Sequence, residues 1–179
     1  MTGHSFALRP FAPDNSGPGL KITGNISRSS NILVIRYELS CPLQEIVIPQ
    51  PSDMPVRRNL LWEETCFEFF LGTEKSESYR EFNLSPSGHW NVYYFRSYRQ
   101  EMKEDAAVSS LPFSVKKDSD ILKLELELNL DRIVPAEQPL NAAVSAVIKH
   151  TNGRTTYWAL THPGQKADFH LRDGFILEL

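Results

Sequence analysis

The sequence predicts an all-β protein: an antiparallel, jelly-roll-like β-sandwich with little helix. Three observations predict it. In "ILKLELELNL", Leu122, Leu124, Leu126 and Leu128 share one parity while Lys123, Glu125 and Glu127 share the other. That period of two belongs to a half-buried strand. Short apolar runs recur between turn signals such as "SPSG" and "TNGR", whose Gly and Asn supply the positive φ of tight turns. Helical periodicity is thin. Many short strands with regular turns fold as a sandwich or a barrel.

In chain order, residues 20–24 and 32–39 read as a hairpin around the polar run SRSSN. Residues 65–71, 80–84 and 90–98 form the next strands, the last two joined by SPSG. Further strands are expected at 113–116, 121–128, 142–149, 155–160 and 174–179. "LDRIVPAEQPL" holds at most one helical turn, begun by Asp131 and stopped by Pro135, and 103–107 could hold another. Residues 42–59, with four prolines, and 100–110, with an acidic run, read as loops. No repeat or linker interrupts the chain, so residues 1–179 are expected to form a single domain.

A length of 179 residues suits one domain with a sizeable core. The net charge of -3 and the pI near 6.0 argue against a nucleic-acid surface. No stretch approaches the run of about 18 apolar residues that a membrane span requires. "MTGHSFALRP" lacks the basic and apolar regions of a signal peptide. Cys41 and Cys66 match no metal spacing and read as buried, reduced thiols. A cytoplasmic location is the expectation.

Chemistry concentrates in two stretches. In "LWEETCFEFFL", Phe67, Phe69 and Leu71 form a core face, so Glu68 projects from the opposite face beside Phe70 and near Trp62. A carboxylate among rings must be hydrated, paired or holding a ligand. "YREFNLSPSGHWNVYYFRSYR" then carries seven rings and three arginines around one turn. One sheet face could thus present Glu68, Asn83 and an arginine beside aromatic rings. Sugars suit that mixture, because rings stack on C–H faces while carboxylates, amides and guanidinium groups bond hydroxyls. Aromatic-rich strands with Arg–Glu pairs are also ordinary structural chemistry, and pattern alone favours that reading.

These two stretches, with "YWALTHPGQKADFHLRDGF", resemble the DOMON-like domains related to family-nine carbohydrate-binding modules. The resemblance spans most of the chain. It implies a sandwich with a ligand site on one concave sheet and, by position, contacts from Trp62, Glu68, Asn83 and Arg96 or Arg99. The subgroup it resembles is one without an established activity, so fold is better supported than ligand. Relatives in the superfamily take a sugar or a haem.

Trp90 or Trp62 would supply a stacking platform, and Trp158 shares a strand face with His162. His150, His162 and His170 lack metal-ligand spacing and read as surface or hydrogen-bonded histidines. Asp168, Arg172 and Asp173 could pair locally or close the pocket. Glu64, Glu68 and Glu81 could in principle form a glycosidase pair, but no nucleophile elbow or phosphate loop appears. Haem needs axial His or Met, and Met54 and Met102 fall in expected loops. The reading is a non-catalytic module with no cofactor or metal, for a carbohydrate or similar polar small molecule. A haem-binding domain and a protein-interaction module are the alternatives.

Overall fold

A computed structural model describes residues 2–13 and 19–179. The fold is an antiparallel β-sandwich. Its strands are β1 (Thr2–Ala7), β2 (Arg9–Pro10), β3 (Lys21–Ser29), β4 (Ile32–Ser40), β5 (Cys66–Gly72), β6 (Tyr79–Leu84) and β7 (Trp90–Phe95). There follow β8 (Lys103–Glu104), β9 (Phe113–Lys117), β10 (Ile121–Asn129), β11 (Asn141–Lys149), β12 (Thr155–Ala159) and β13 (Leu177–Glu178). The smaller sheet runs β1-β3-β4-β10-β9, and the larger runs β2-β12-β11-β5-β6-β7-β8, with β13 added to β11. Among the described residues the helical content is limited to 3-10 turns such as Leu61–Glu63. No helix there is long and apolar enough to cross a membrane.

The alternating leucines behave as their period dictates. Leu122, Leu124 and Leu126 are buried, while Lys123 pairs with Glu38 on the outer face at 2.8 Å. Inward residues of both sheets, among them Ile26, Ile35, Phe67, Phe69, Phe82 and Val144, share one core. β5 is buried along its whole length because a second cluster covers its other face. That cluster joins Phe70, Tyr79, Tyr93, Phe95, Ala143 and Phe175.

Several local expectations change. β1 was not expected: only Phe6 is buried in this polar edge strand, and its register comes from pairing with β3. The expected strand at 174–179 shrinks to Leu177–Glu178, because Arg172–Gly174 makes a 3-10 turn. Strand 90–98 ends at Phe95, and the chain turns through Arg99 and Glu101 at φ 53° and 54°. Residues 103–107 hold the short strand β8 instead of a helical turn. Asp131 caps no helix; its carboxylate accepts from Asn31 Nδ2 at 2.8 Å.

Gly24 lies between its ladder partners Phe6 and Tyr37. A Cβ there would sit 2.5 Å from Phe6 Cζ and press against the Arg36 carbonyl oxygen. Gly24→Ala is expected to cost about 1–3 kcal/mol through overpacking. Denaturant midpoints unchanged from the parent would contradict this close approach.

Candidate functional site

Neighbouring strands lay a polar floor on the outer face of the larger sheet. Pairing sets Glu68 opposite Asn83 and Phe70 opposite Glu81, so both carboxylates emerge on one side. Phe67, Phe69 and Phe82 fill the core on the other side. Around this floor lies a cleft of about 300 Å³. Trp62, Phe95, Tyr157 and Phe169 supply rings to its lining, and Arg99, Met102 and His170 also face it.

The loops that wall the cleft are held by specific bonds. Asn91 Nδ2 donates to the Arg58 carbonyl at 3.0 Å and to Tyr93 Oη at 2.9 Å. Tyr93 in turn donates to Asn59 Oδ1 at 2.8 Å. Trp62, on the 3-10 turn that follows, meets the Tyr93 ring edge-on at 5.6 Å. On the opposite wall, Asp168 accepts from Arg99 at 2.9 Å, from Tyr98 Oη and from the His170 N–H at 3.0 Å. The Arg99 N–H donates to Tyr79 Oη at 3.1 Å, which leaves the tyrosine proton for His170 Nδ1 at 2.8 Å. His170 Nε2 then faces Glu81 Oε2 at 3.8 Å.

Burial governs the charges. Glu68 is 3% exposed, and among the described residues its carboxylate has one hydrogen-bond partner, Ser145 Oγ at a long 3.4 Å. Desolvation, then repulsion from Glu81, pushes its carboxyl well above the usual range. Desolvation also raises Glu81 to about 7, against the opposing hydrogen bond from Asn83 and the field of Arg99. Asn83 Nδ2 makes that bond at 2.9 Å. His170 falls to about 4, because burial and then the Arg99 charge disfavour the imidazolium. Burial alone would raise Asp168, but its hydrogen bonds from Tyr98, Arg99 and His170 hold it below the usual carboxylate range. Burial thus favours the neutral form of Glu68, while at neutral pH Glu81 is half-ionised and His170 neutral.

Of the residues expected at a site, Trp62, Glu68 and Arg99 line this cleft. Asn83 lies beneath it, fully buried and holding Glu81. Three others lie elsewhere. Trp90 pairs with Leu84 and points into the core, with the Arg57 guanidinium 4.5 Å over its ring. Trp158 is also a core residue, its indole N–H bonded to Thr156 Oγ1 at 3.0 Å. Arg96 is exposed and pairs with Glu101 at 2.9 Å. Neither tryptophan can offer a stacking face, and Arg96 lies outside the lining.

Phe95, Met102, Val147, Tyr157, Ala167, Phe169 and His170 are lining residues that the sequence reading did not place at a binding site, and Glu81 entered it only as a member of a glycosidase pair. Glu81 shares a parity with Asn83 and was legible; Phe169 and His170 arrive on a loop with no periodic signal. The histidine expectations hold for partners: His150 bonds Thr156 at 3.0 Å and His162 the Arg9 carbonyl at 2.8 Å. Among the described residues no group of three His, Cys, Asp or Glu is arranged to hold a metal ion. His170 bonds Tyr79 Oη through Nδ1 and turns Nε2 toward Glu81.

Comparison with solved structures finds the same sandwich architecture in other proteins. A Bacteroides uniformis protein inferred to bind carbohydrate superposes with a TM-score of 0.74 at 11% identity, over 97% of this chain and 84% of that one. A family 9 carbohydrate-binding module from Caldicellulosiruptor kristjanssonii, in complex with cellotriose, gives 0.54 at 12% identity over 90% and 74%. A second structure of such a module, with glucose, gives 0.50 at 12% identity over 84% and 72%. The shared property is the fold. No family model and no curated protein matches the chain.

Proposed function

We propose that the chain is a non-catalytic binding module for a carbohydrate or similar polar small molecule. The observation that carries this reading is a cleft whose walls are rings and whose floor is two buried, underbonded carboxyl groups. Its volume of about 300 Å³ falls at the small end of the ligand-site range, about 300–1,000 Å³. That size suits one or two sugar rings. A carboxyl group half-ionised at neutral pH, as Glu81 is, can both donate to and accept from adjacent hydroxyls. The structural neighbours support the class of ligand, since one holds cellotriose and another glucose.

Glycosidic hydrolysis fits less well. Its two carboxyl groups must flank the scissile bond. Glu68 and Glu81 rise from adjacent strands on one side of the cleft. We further read residues 1–179 as one DOMON-like domain acting in the cytoplasm, where the free thiols of Cys41 and Cys66 would stay reduced.

Titration calorimetry against a panel including glucose and cello-oligosaccharides tests the proposal. Trp62→Ala should weaken binding about three- to tenfold, the range of one aromatic contact, with little change in melting temperature. Failure of every sugar to bind would overturn it. A Soret band in the purified protein would favour the haem alternative despite the geometry of His170.

A further inference from the structure

Among the described residues no lysine or arginine nitrogen lies within 4.0 Å of the Glu68 or Glu81 carboxylate. The cleft's own cation, Arg99, is held by Asp168 at 2.9 Å. Among the described residues one oxygen of Glu68 has no hydrogen-bond partner although the residue is only 3% exposed, and Glu68 lines the cleft. Trp62, Phe95, Tyr157 and Phe169 line the same cleft. Aromatic faces and carboxylates converging on one small volume attract an organic cation, through the ring quadrupole and through charge-assisted hydrogen bonds.

We propose that the preferred ligand of this cleft carries a protonated amine, as in an amino sugar, seated on Glu68 and Glu81 within the ring of aromatic side chains. The inference builds on the carbohydrate reading but names the group that the floor selects. An ammonium supplies the counter-charge that the protein lacks, so both carboxyl groups bind it as carboxylates and release their protons. Proton release makes affinity rise with pH through about 7, where Glu81 titrates. Other groups facing Glu81 are Glu68 and Cys66 from β5, Tyr79 from β6, Tyr93 from β7, Arg99 from the turn after β7, and His170 from the C-terminal loop, where Asp168 holds Arg99; burial raises both Cys66 and Tyr79. Asp168 stays ionised, Tyr93 neutral at about 12 and His170 neutral at about 4, so none of these three titrates in that window.

The experiment is calorimetry at pH 6 and pH 8 with glucose, 6-amino-6-deoxyglucose, its N-acetyl derivative and tetramethylammonium. The amine should bind about tenfold or more tightly than glucose, the counterpart of one charge-assisted hydrogen bond. Its advantage should grow from pH 6 to pH 8 and vanish on acetylation. Glu81→Gln and Glu68→Gln, checked for folding by thermal melts, should bring the amine-to-glucose ratio toward one. Glucose binding as well as or better than the amine would overturn the inference and leave the carbohydrate reading standing. Tetramethylammonium binding with no sugar bound would overturn both, since that cation has no N–H to donate to the carboxylates. No binding by any of the four would reject both.

Discussion

Trp90→Ala is expected to lower stability by about 3–5 kcal/mol, the cost of truncating a large buried ring. Trp90 is 6% exposed, lies within the main core and carries the Arg57 guanidinium on its face. Truncation removes the apolar contacts and opens a void. It also uncovers Arg57, which otherwise ties the 42–59 loop to Asn91 Oδ1 at 2.9 Å and to the carbonyls of Val92, Asp105 and Val108. In a chain of this size the loss corresponds to a fall in Tm of about 6–20 °C. Trp62→Ala provides the contrast, since that ring is half-buried at the cleft wall and touches Tyr93 only edge-on. It should cost about 1 kcal/mol or less. Thermal and denaturant melts of both variants decide the matter. Equal losses at the two positions, or a parent-like melt for Trp90→Ala, would contradict the assigned faces.

The second large effect is a pair of opposite pH slopes buried in one cleft. Glu81 rises from 4.5 to about 7 on folding, so the native state holds its proton longer than the unfolded chain does. Its stabilising contribution is complete below pH 4.5, falls as pH rises and is gone above about 7. At about 1.4 kcal/mol per pKa unit, the total is about 3 kcal/mol. His170 goes the other way, from 6.5 down to about 4. Its contribution is complete above pH 6.5 and falls by about 3 kcal/mol as pH drops toward 4. Glu68, also raised, adds to the slope of Glu81.

Relative to the parent, Glu81→Gln should therefore gain about 3 kcal/mol between pH 4.5 and pH 7 and then level off. His170→Gln should gain a similar amount as pH falls from 6.5 to 4, on top of a constant loss from the Tyr79 bond. Urea unfolding across that range reads both differences. Curves parallel to the parent would mean that these groups titrate in the folded protein as they do in the unfolded chain.

What the sequence by itself determined was periodicity, and with it the partition of side chains within each strand. The leucines of β10 and the division of β5 into Phe67, Phe69 and Leu71 against Glu68 and Phe70 follow from the pleat, which alternates faces whatever the partner strand. Alternation does not say which face is inward. Trp90 shares a parity with Val92, and only the register Leu84–Trp90, set by the turn after β6, turned that parity toward the core and left Asn91, Tyr93 and Phe95 outside. The cleft itself was decided later still. Tyr157, Phe169 and His170 reach Glu68 and Glu81 from the far end of the chain, and contacts between loops and strands that distant leave no periodic trace. Nor does sequence proximity show that Arg99 would turn to Asp168 and not pair with Glu68 or Glu81; that required the fold to bring an acid from another loop to the guanidinium first.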